Sequence, residues 1–545
     1  MLKADIVLKS KLIFDSLAEK PYEGAIAIKG NRIVAVCKDE GANEYIGKDT
    51  KVVNYEDKLI MPSFIDAHDH MYNGIVNLSD HVCTTLIESK SEEECVQMIK
   101  DYADTHPDEK RIRGCGWFPV NWGDAPLPTK ESLDKAVPDR PAYLMSADSH
   151  TCWLNSKAIE ETGVTPDWEL KTGCVGIGED GEPNGLLFEP EAFMPALQYM
   201  MDFTEEEFAD IMEAQLQKVV AQGITVMSDM GAYAPGETTE KIFERFKRFR
   251  ESKTLPLRLY FTMALADGGE YSEVLKCKEK YDSEMFEINC VKGFVDGVTS
   301  TYTGYLLEPY EDEPDTCGVG CPMINPKEGN EWIAKANAAG LPVRLHCVGD
   351  AAVRQALDMY ENSIKVNGGV PFHNSVEHIE LISPADMKRF KELNVVASMQ
   401  PAHLPLDVNE KVDRCGMRRS TYAWNHRSLL ENGAILAFGT DFPIVDLNPF
   451  ENIYAAVARC YDSGMPTGTN PWECISMADT LKAYTIGAAH AYNKQNDLGT
   501  LEAGKYADII VLDTNLFEVE YVDIKRTNVL MTMVNGQIVY EKNVN

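Results

Sequence analysis

Hydrophobic and polar positions alternate with a period of two at both ends of the chain. "ADIVLKSKLIF", "GAIAIKGNRIVAVC" and "KVVNYEDKLIM" lie within the first sixty residues, with "KGNR" as a turn between two runs. The last fifty residues repeat the pattern in "KYADIIVLD" and "NVLMTMVNGQIVYEK", where Asn-Gly supplies the turn. Short, β-branched, alternating runs predict strands, and Asn-Gly between two of them predicts a hairpin. Two β-rich ends around a different middle predict one small β-sandwich built from residues 1–60 and 491–545.

From about 61 to 490 the period changes. Apolar strands alternate with amphipathic helices such as "NEWIAKANAAG" and "PADMKRFKELN", which is the signature of parallel βα units and an α/β class. Several helices stop at Gly or Asn, the residues that tolerate the left-handed conformation of a C-cap. Eight core strands follow from their endings: "SFIDAHDH", "ITVMSDM", "LRLYFTMAL", "INCVKGFVDG", "LPVRLHCVGD", "HNSVEHIEL", "VVASMQPAH" and "AILAFGTDFP". Eight such units predict a (β/α)8 TIM barrel. The stretch from about 75 to 205 is longer than one unit needs and is rich in Gly, Pro and Trp. It reads as a long insertion after the first barrel strand, of the kind that forms lids and binding loops.

Composition narrows the function. The 545 residues carry 44% hydrophobic and 25% charged positions, ordinary for a soluble globular protein. A formal charge of −34 argues against nucleic acid or an anionic membrane as partner, since both call for a basic footprint. No apolar run approaches the ~18 residues of a membrane span. "MLKADIVLKSKLIFD" has no continuous apolar segment of the signal-peptide kind. The 14 cysteines contain no CxxC pair, so reduced thiols and a cytoplasmic location are expected. Cys317 and Cys321 stand in a Gly/Pro-rich loop with no partner pair to make a metal site.

Chemistry concentrates where barrel enzymes keep it, at the C-terminal ends of the strands. Those ends carry His68 and His70, then Lys292, His346, His378 and Asp441. His68 and His70 are spaced i, i+2, which aims two imidazoles to one face. One strand-end histidine is an ordinary core residue. Four, together with a carboxylate, make a ligand set suited to Zn²⁺ and similar ions. Lys292 is the exception, because an ammonium beside a divalent ion is unfavourable; an ion-paired structural lysine is the plain alternative. Asp66 reads as a structural carboxylate and Asp69 as facing away from the histidine pair. Asp296 reads as a cap for the segment after it. Gln400 and His403, at the end of strand seven, border the site or pack. His81, His106, His373, His426 and His490 read as structural.

HxH on strand one, Lys on four, His on five and six, and Asp on eight resemble the binuclear amidohydrolase superfamily. The order of "PSFIDAHDH", "RGCGWFPVNW", "PTKESLDKAVPDRPAYL", "SHTCWLNSKAI", "GEPNGLLFE", "VKGFVDGVTS", "LHCVGDAAV", "EHIELI" and "GTDFPI" resembles, over nearly the whole chain, its amidohydrolase family 3 branch, which includes N-substituted formamide deformylase. The resemblance implies two divalent ions, Zn²⁺ first and Mn²⁺, Fe²⁺ or Co²⁺ as substitutes. His68, His70 and Asp441 would hold the more buried ion, and His346 and His378 the other. A CO2-derived carbamate on Lys292 would bridge them. Asp441 would act as general base and then general acid in hydrolysis of a non-peptide C–N bond, in an N-acyl or N-formyl amine. Trp117 and His150 of the insertion, and Gln400, would touch this small-molecule amide substrate, and a homodimer is the expected assembly.

Three other readings stand against this. N-acyl-D-amino acid deacylases of similar sequence place a metal-binding Cys on strand two, which here ends "VMSDM" without one. Deaminases and cyclic amidases of the superfamily share the core, but the deaminases place an acid near strand five, which here continues "HCVGDAA". A non-catalytic binding scaffold would have lost ligands, and all six positions are filled.

Overall fold

The computed structural model describes residues 2–123, 126–147, 151–170, 173–459 and 470–542. The chain forms two compact units, Met1–Met71 with Leu216–Asn545, and Tyr72–Gln215.

In the first unit the two chain ends share one mixed sheet. Its order is Gln537–Glu541, Val529–Val534, Ile509–Leu512, Leu59–Pro62, Ile6–Ile13, Tyr22–Lys29 and Arg32–Cys37, with Lys51–Asn54 also paired to Ile6–Ile13. Alternation does what the sequence pattern requires. Ile26 and Ile28 join Leu8, Ile60, Ile509, Val511 and Met531 in one core cluster, while Ala25 and Ala27 face the opposite cluster with Val7 and Ala42. Burying each Ile fully adds about 1.5–3 kcal/mol. The C-terminal strand Ile509–Leu512 lies antiparallel to Leu59–Pro62 in the register Ile509 to Pro62.

The second sheet of this unit is α/β in character. Eight strands pair in sequence order: Phe64–Ile65, Ile224–Tyr233, Arg258–Ala264, Phe286–Phe294, Val343–Cys347, Ser375–His378, Val396–Met399 and Ile435–Phe438. Every pairing is parallel. Helices such as Pro326–Ala338 and Asp350–Asn367 connect them. The first helix is capped by the Asn325 side chain, which accepts the Lys327 N–H, and the second ends on Gly368 in the left-handed region.

The sequence pattern predicts a first strand running through His70, but strand pairing stops at Ile65. The backbone beyond it is divided between the second strand, where Asp66 N–H donates to the Val226 carbonyl at 3.0 Å and the Asp69 carbonyl accepts the Met230 N–H at 2.9 Å, and the end of the eighth strand with the loop after it. Ala67 N–H donates to the Phe438 carbonyl at 3.0 Å, and His70 N–H to the Phe442 carbonyl at 2.7 Å. A Cβ on Gly439 would stand 2.4 Å from the His68 nitrogen, so only glycine lets these segments meet.

The second unit holds a five-stranded sheet in the order Cys174–Ile177, Pro183–Phe188, Thr151–Leu154, Ala142–Ser146 and Ile112–Trp117. Its core gathers Ile99, Leu133, Leu144, Trp117, Trp122 and Trp153. Trp117, expected to touch substrate, is packed within this core. It is 1% exposed, donates its indole N–H to the Leu144 carbonyl at 3.0 Å and packs on Trp122 and Trp153 at 6.0 and 5.6 Å between ring centroids. Packing accounts for the whole ring. No helix among the described residues is long and apolar enough to cross a membrane.

Candidate metal centre

His68 sits in extended backbone just past the first parallel strand and is fully buried. Its Nδ1 lies 2.7 Å from Glu377 Oε2. A carboxylate only accepts, so Nδ1 carries the hydrogen and Nε2 carries the lone pair. That lone pair faces Asp441 Oδ1 at 3.4 Å, and His70 Nε2 stands 3.3 Å from the same oxygen. Neither His68 Nε2 nor Asp441 Oδ1 has a hydrogen-bond partner. Two lone pairs aimed at each other in a buried space repel unless something positive lies between them. This donor set, two imidazole nitrogens and a carboxylate oxygen, fits a divalent cation.

The site is held from behind by a buried ion pair. Glu377 accepts two bonds from Arg344, at 2.8 and 3.1 Å, and one from Ser375 Oγ at 2.5 Å. Burial opposes its charge, but Arg344 and His68 keep its carboxyl well below the usual range. Arg344 also donates to the Ala67 carbonyl at 2.6 Å. Asp66 accepts from the N–H of His68 and from both the N–H and the hydroxyl of Thr440, at 3.1, 3.0 and 2.7 Å. Asp69, facing the other way, accepts the Ser228 N–H at 2.8 Å. Asp296 accepts the N–H groups of Val348, Gly349 and Tyr305, which ties together the loops after the fourth and fifth strands.

Asp441 also joins a second group with His378 and His403, whose donor atoms all lie within 4.8 Å of one another. Burial would push the Asp441 carboxyl up, yet the surrounding histidines hold it well below its ordinary value. His378 Nδ1–H donates to Gln400 Oε1 at 3.0 Å, leaving its Nε2 lone pair available. His346 packs on His378 with ring centroids 4.4 Å apart. Its Nε2, however, is 3.1 Å from the Gly297 carbonyl, and it stands outside both donor groups. Burial and the Lys292 charge push His68 down to about 3 and His346 to about 4, so both rings are neutral.

Lys292 is 2% exposed. Burial lowers it to about 8, and its Nζ lies 5.3 Å from the Phe294 ring centroid. Among the described residues no carboxylate stands within ion-pair distance of it, so the structure does not support the ion-paired alternative. His150 lies outside the described residues.

Two participants, Glu377 and Arg344, were hidden from sequence reasoning, and His403 was placed only as bordering the site or packing. Alternation puts neighbouring Glu377 and His378 on opposite faces, yet both reach His68, since the His378 ring centroid is 4.7 Å from that of His68. The backbone explains it: His378 and Ile379 have φ of 74° and 51°, which re-aims the chain end, and Asp441 has φ of 59°. Such conformations cost about 1–3 kcal/mol each and cluster at working sites. Arg344, two residues before His346 on the same face, was equally silent. His403 follows the strand in a short turn (Pro401–His403), where no period assigns a direction; the only signal was a His three residues after the strand-end Gln.

The sequence model for the amidohydrolase family matches residues 51–540. Protein LONG AFTER FAR-RED 3 of Arabidopsis thaliana is 30% identical over 98% of this chain and 92% of its own. N-substituted formamide deformylase of Arthrobacter pascens is 24% identical over 95% of each chain. The crystal structure of an uncharacterized metal-dependent hydrolase from Pyrococcus furiosus superposes with a TM-score of 0.74 at 26% identity, covering 94% of this chain and all of that one. With a family match across most of its length and a full-length structural counterpart, this chain belongs to the amidohydrolase family, hydrolases acting on carbon–nitrogen bonds.

Proposed function

We propose that the chain hydrolyses the C–N bond of a non-peptide amide, an N-acyl or N-formyl amine, at a two-ion centre in the mouth of a closed (β/α)8 barrel. In this reading the barrel spans residues 61–490, is interrupted by the 75–205 insertion, and is flanked by the sandwich built from the chain ends. The bond from Ala67 N–H, two residues past the first strand, to the carbonyl of Phe438 at the end of the eighth supports closure. His68, His70 and Asp441 would hold one ion. His346 and His378 would hold the other, with His403 beside them. Lys292 is buried and lowered to about 8, so it carries a larger neutral fraction than an ordinary lysine, and a CO2-derived carbamate formed on that amine would supply an anionic ligand to the ions. Bound divalent ions acidify water and polarise a carbonyl oxygen.

The chain's own groups do the rest. Glu377 fixes the His68 tautomer so that its Nε2 lone pair faces Asp441, and Gln400 fixes that of His378, leaving a lone pair on its Nε2. Asp441 takes the proton of the attacking water and returns it to the departing nitrogen. The acyl carbon leaves as a carboxylic acid and the nitrogen as an amine. Free thiols and the acidic surface suit a reducing cytoplasm.

The observation that carries this reading is the unpartnered pair His68 Nε2 and Asp441 Oδ1, 3.4 Å apart in a fully buried space. The test is amine release from a panel of N-formyl, N-acetyl and longer N-acyl amines and of N-acyl amino acids of both hands. The protein is supplied with Zn²⁺ and bicarbonate. Activity that a chelator removes and metal restores is expected. Bound metal with no amide turned over would sink the amide assignment.

A further inference from the structure

Two buried side-chain nitrogens beside Asp441 have nothing to bond. Gln400 immediately follows the seventh parallel strand and His403 comes three residues later; they are 1% and 5% exposed. The Gln400 amide oxygen takes the Nδ1–H of His378 at 3.0 Å, which fixes the amide nitrogen on the other side. That nitrogen is buried without a partner, and so is His403 Nε2. The turn carrying both is built rather than loose. His403 N–H donates to the Gln400 carbonyl at 3.1 Å, and Ala402 N–H donates to Asn452 Oδ1 at 2.8 Å. His403 Nε2 stands 3.8 Å from Asp441 Oδ2, and its ring lies stacked near that of His378, with centroids 6.4 Å apart.

A metal ion satisfies lone pairs and leaves an amide N–H2 as unsatisfied as before. The missing partner of Gln400 Nε2 is therefore an acceptor atom, and a buried donor is costly to leave without one. His403, on the same turn, leaves its Nε2 unpartnered 3.8 Å from Asp441 Oδ2, and it supplies a second N–H when its Nδ1 carries the lone pair.

We propose that Gln400 and His403 form a two-donor clamp on the oxygen of the scissile carbonyl. The proposal rests on the amide-hydrolysis reading above and adds the residues that hold the reacting group. As the water oxygen bonds to the carbonyl carbon, the C=O π pair moves onto the clamped oxygen. It returns as the C–N bond breaks, and the nitrogen departs with the proton Asp441 took from water. Both N–H bonds strengthen as charge develops on the oxygen, which is how preorganised donors lower a barrier.

The test uses metal-loaded wild type and three full-length variants, His403→Leu, His403→Gln and Gln400→Glu. Gln400→Glu keeps the acceptor for His378 and removes the donor. Three quantities are measured: bound metal per chain, kcat and KM on N-acyl amines, and calorimetric Kd for a phosphinate analogue of the acyl group. Far-ultraviolet circular dichroism checks folding. Unchanged metal, kcat lower by about 10²–10³ in His403→Leu and Gln400→Glu, weaker phosphinate binding and partial recovery in His403→Gln are expected. Unchanged kcat and phosphinate affinity would overturn the clamp. Metal lost from His403→Leu would overturn it too, by making His403 a ligand. A wild type inactive on every amide would overturn the amide reading alone, and the phosphinate titration would still decide the clamp.

Discussion

Replacing Glu377 by Gln tests the support behind the metal centre. The Glu377 carboxylate receives four bonds, two from Arg344 and one each from His68 and Ser375. All of the ion pair lies out of water: side-chain exposure is 1% for Arg344 and 0% for Glu377. Gln keeps the shape but offers one acceptor oxygen, and its NH2 must then face either the guanidinium or the His68 N–H, donor against donor. The Arg344 charge remains, with the Ala67 carbonyl, the Ser398 hydroxyl and at most one amide oxygen as acceptors. Breaking a buried pair from one side costs about 3–5 kcal/mol. A second effect falls on the metal. His68 loses the bond that fixes its tautomer, and loss of such an outer partner weakens metal binding about 10–100-fold. Urea unfolding of metal-free protein followed by circular dichroism reads the first effect, and competition against a chelating dye reads the second. The double variant Glu377→Leu with Arg344→Met is the control. It removes both charges, recovers most of the stability, and leaves the metal affinity low. A loss below about 1 kcal/mol in Glu377→Gln, with metal affinity intact, would refute the reasoning.

Asp441→Asn keeps the side-chain shape but cannot carry a proton, so kcat should fall about 10²–10⁴-fold; full activity would remove Asp441 from the mechanism. Metal-loaded protein exchanged into ¹³C-bicarbonate should give a carbamate carbon resonance that Lys292→Ala lacks, and the same variant should bind less metal; a loaded wild type without the signal would contradict the carbamate. Away from the metal, His373 Nδ1–H donates to the Asn394 carbonyl at 3.0 Å, so its Nε2 accepts the His490 Nδ1–H, also at 3.0 Å. Burial pushes both rings down, His490 from 6.5 to about 4, with His373 and Lys505 adding to it. The folded protein therefore stays neutral at these rings while the unfolded chain binds protons, and stability should fall as pH drops from 6.5 towards 4. The slope of Tm against pH across that window should flatten in His490→Phe, and an unchanged slope would count against the pair.

The strands were legible because each is a short β-branched run that stops at Gly, Pro or Asp, and the strand-end rule then picked out His68, His70, Lys292, His346, His378 and Asp441 from a chain with 11 histidines. Period two carries direction only where the backbone is regular. It therefore gave no warning of the left-handed residues at His378 and Ile379, which let Glu377 and His378 serve the same site from adjacent positions. It also had nothing to say about Trp117. An aromatic in a Gly-rich stretch reads the same whether it lines a pocket or fills a core, and only the neighbours Trp122 and Trp153 decide. Buried charge pairs such as Arg344 with Glu377 join residues 33 apart, beyond the reach of any local pattern.

The pairing of Leu59–Pro62 with Ile509–Leu512 has a consequence for how the chain is made. The N-terminal strand leads directly into the segment bearing His68 and His70, but its partner leaves the ribosome about 450 residues later, ~20–90 s at ordinary synthesis rates. Until then Leu59–Pro62 has an open edge of four apolar residues, the kind of template that recruits foreign strands. A chain terminated before residue 509 would keep that edge permanently, so truncated products should go to chaperones and aggregates rather than persist as shortened hydrolases.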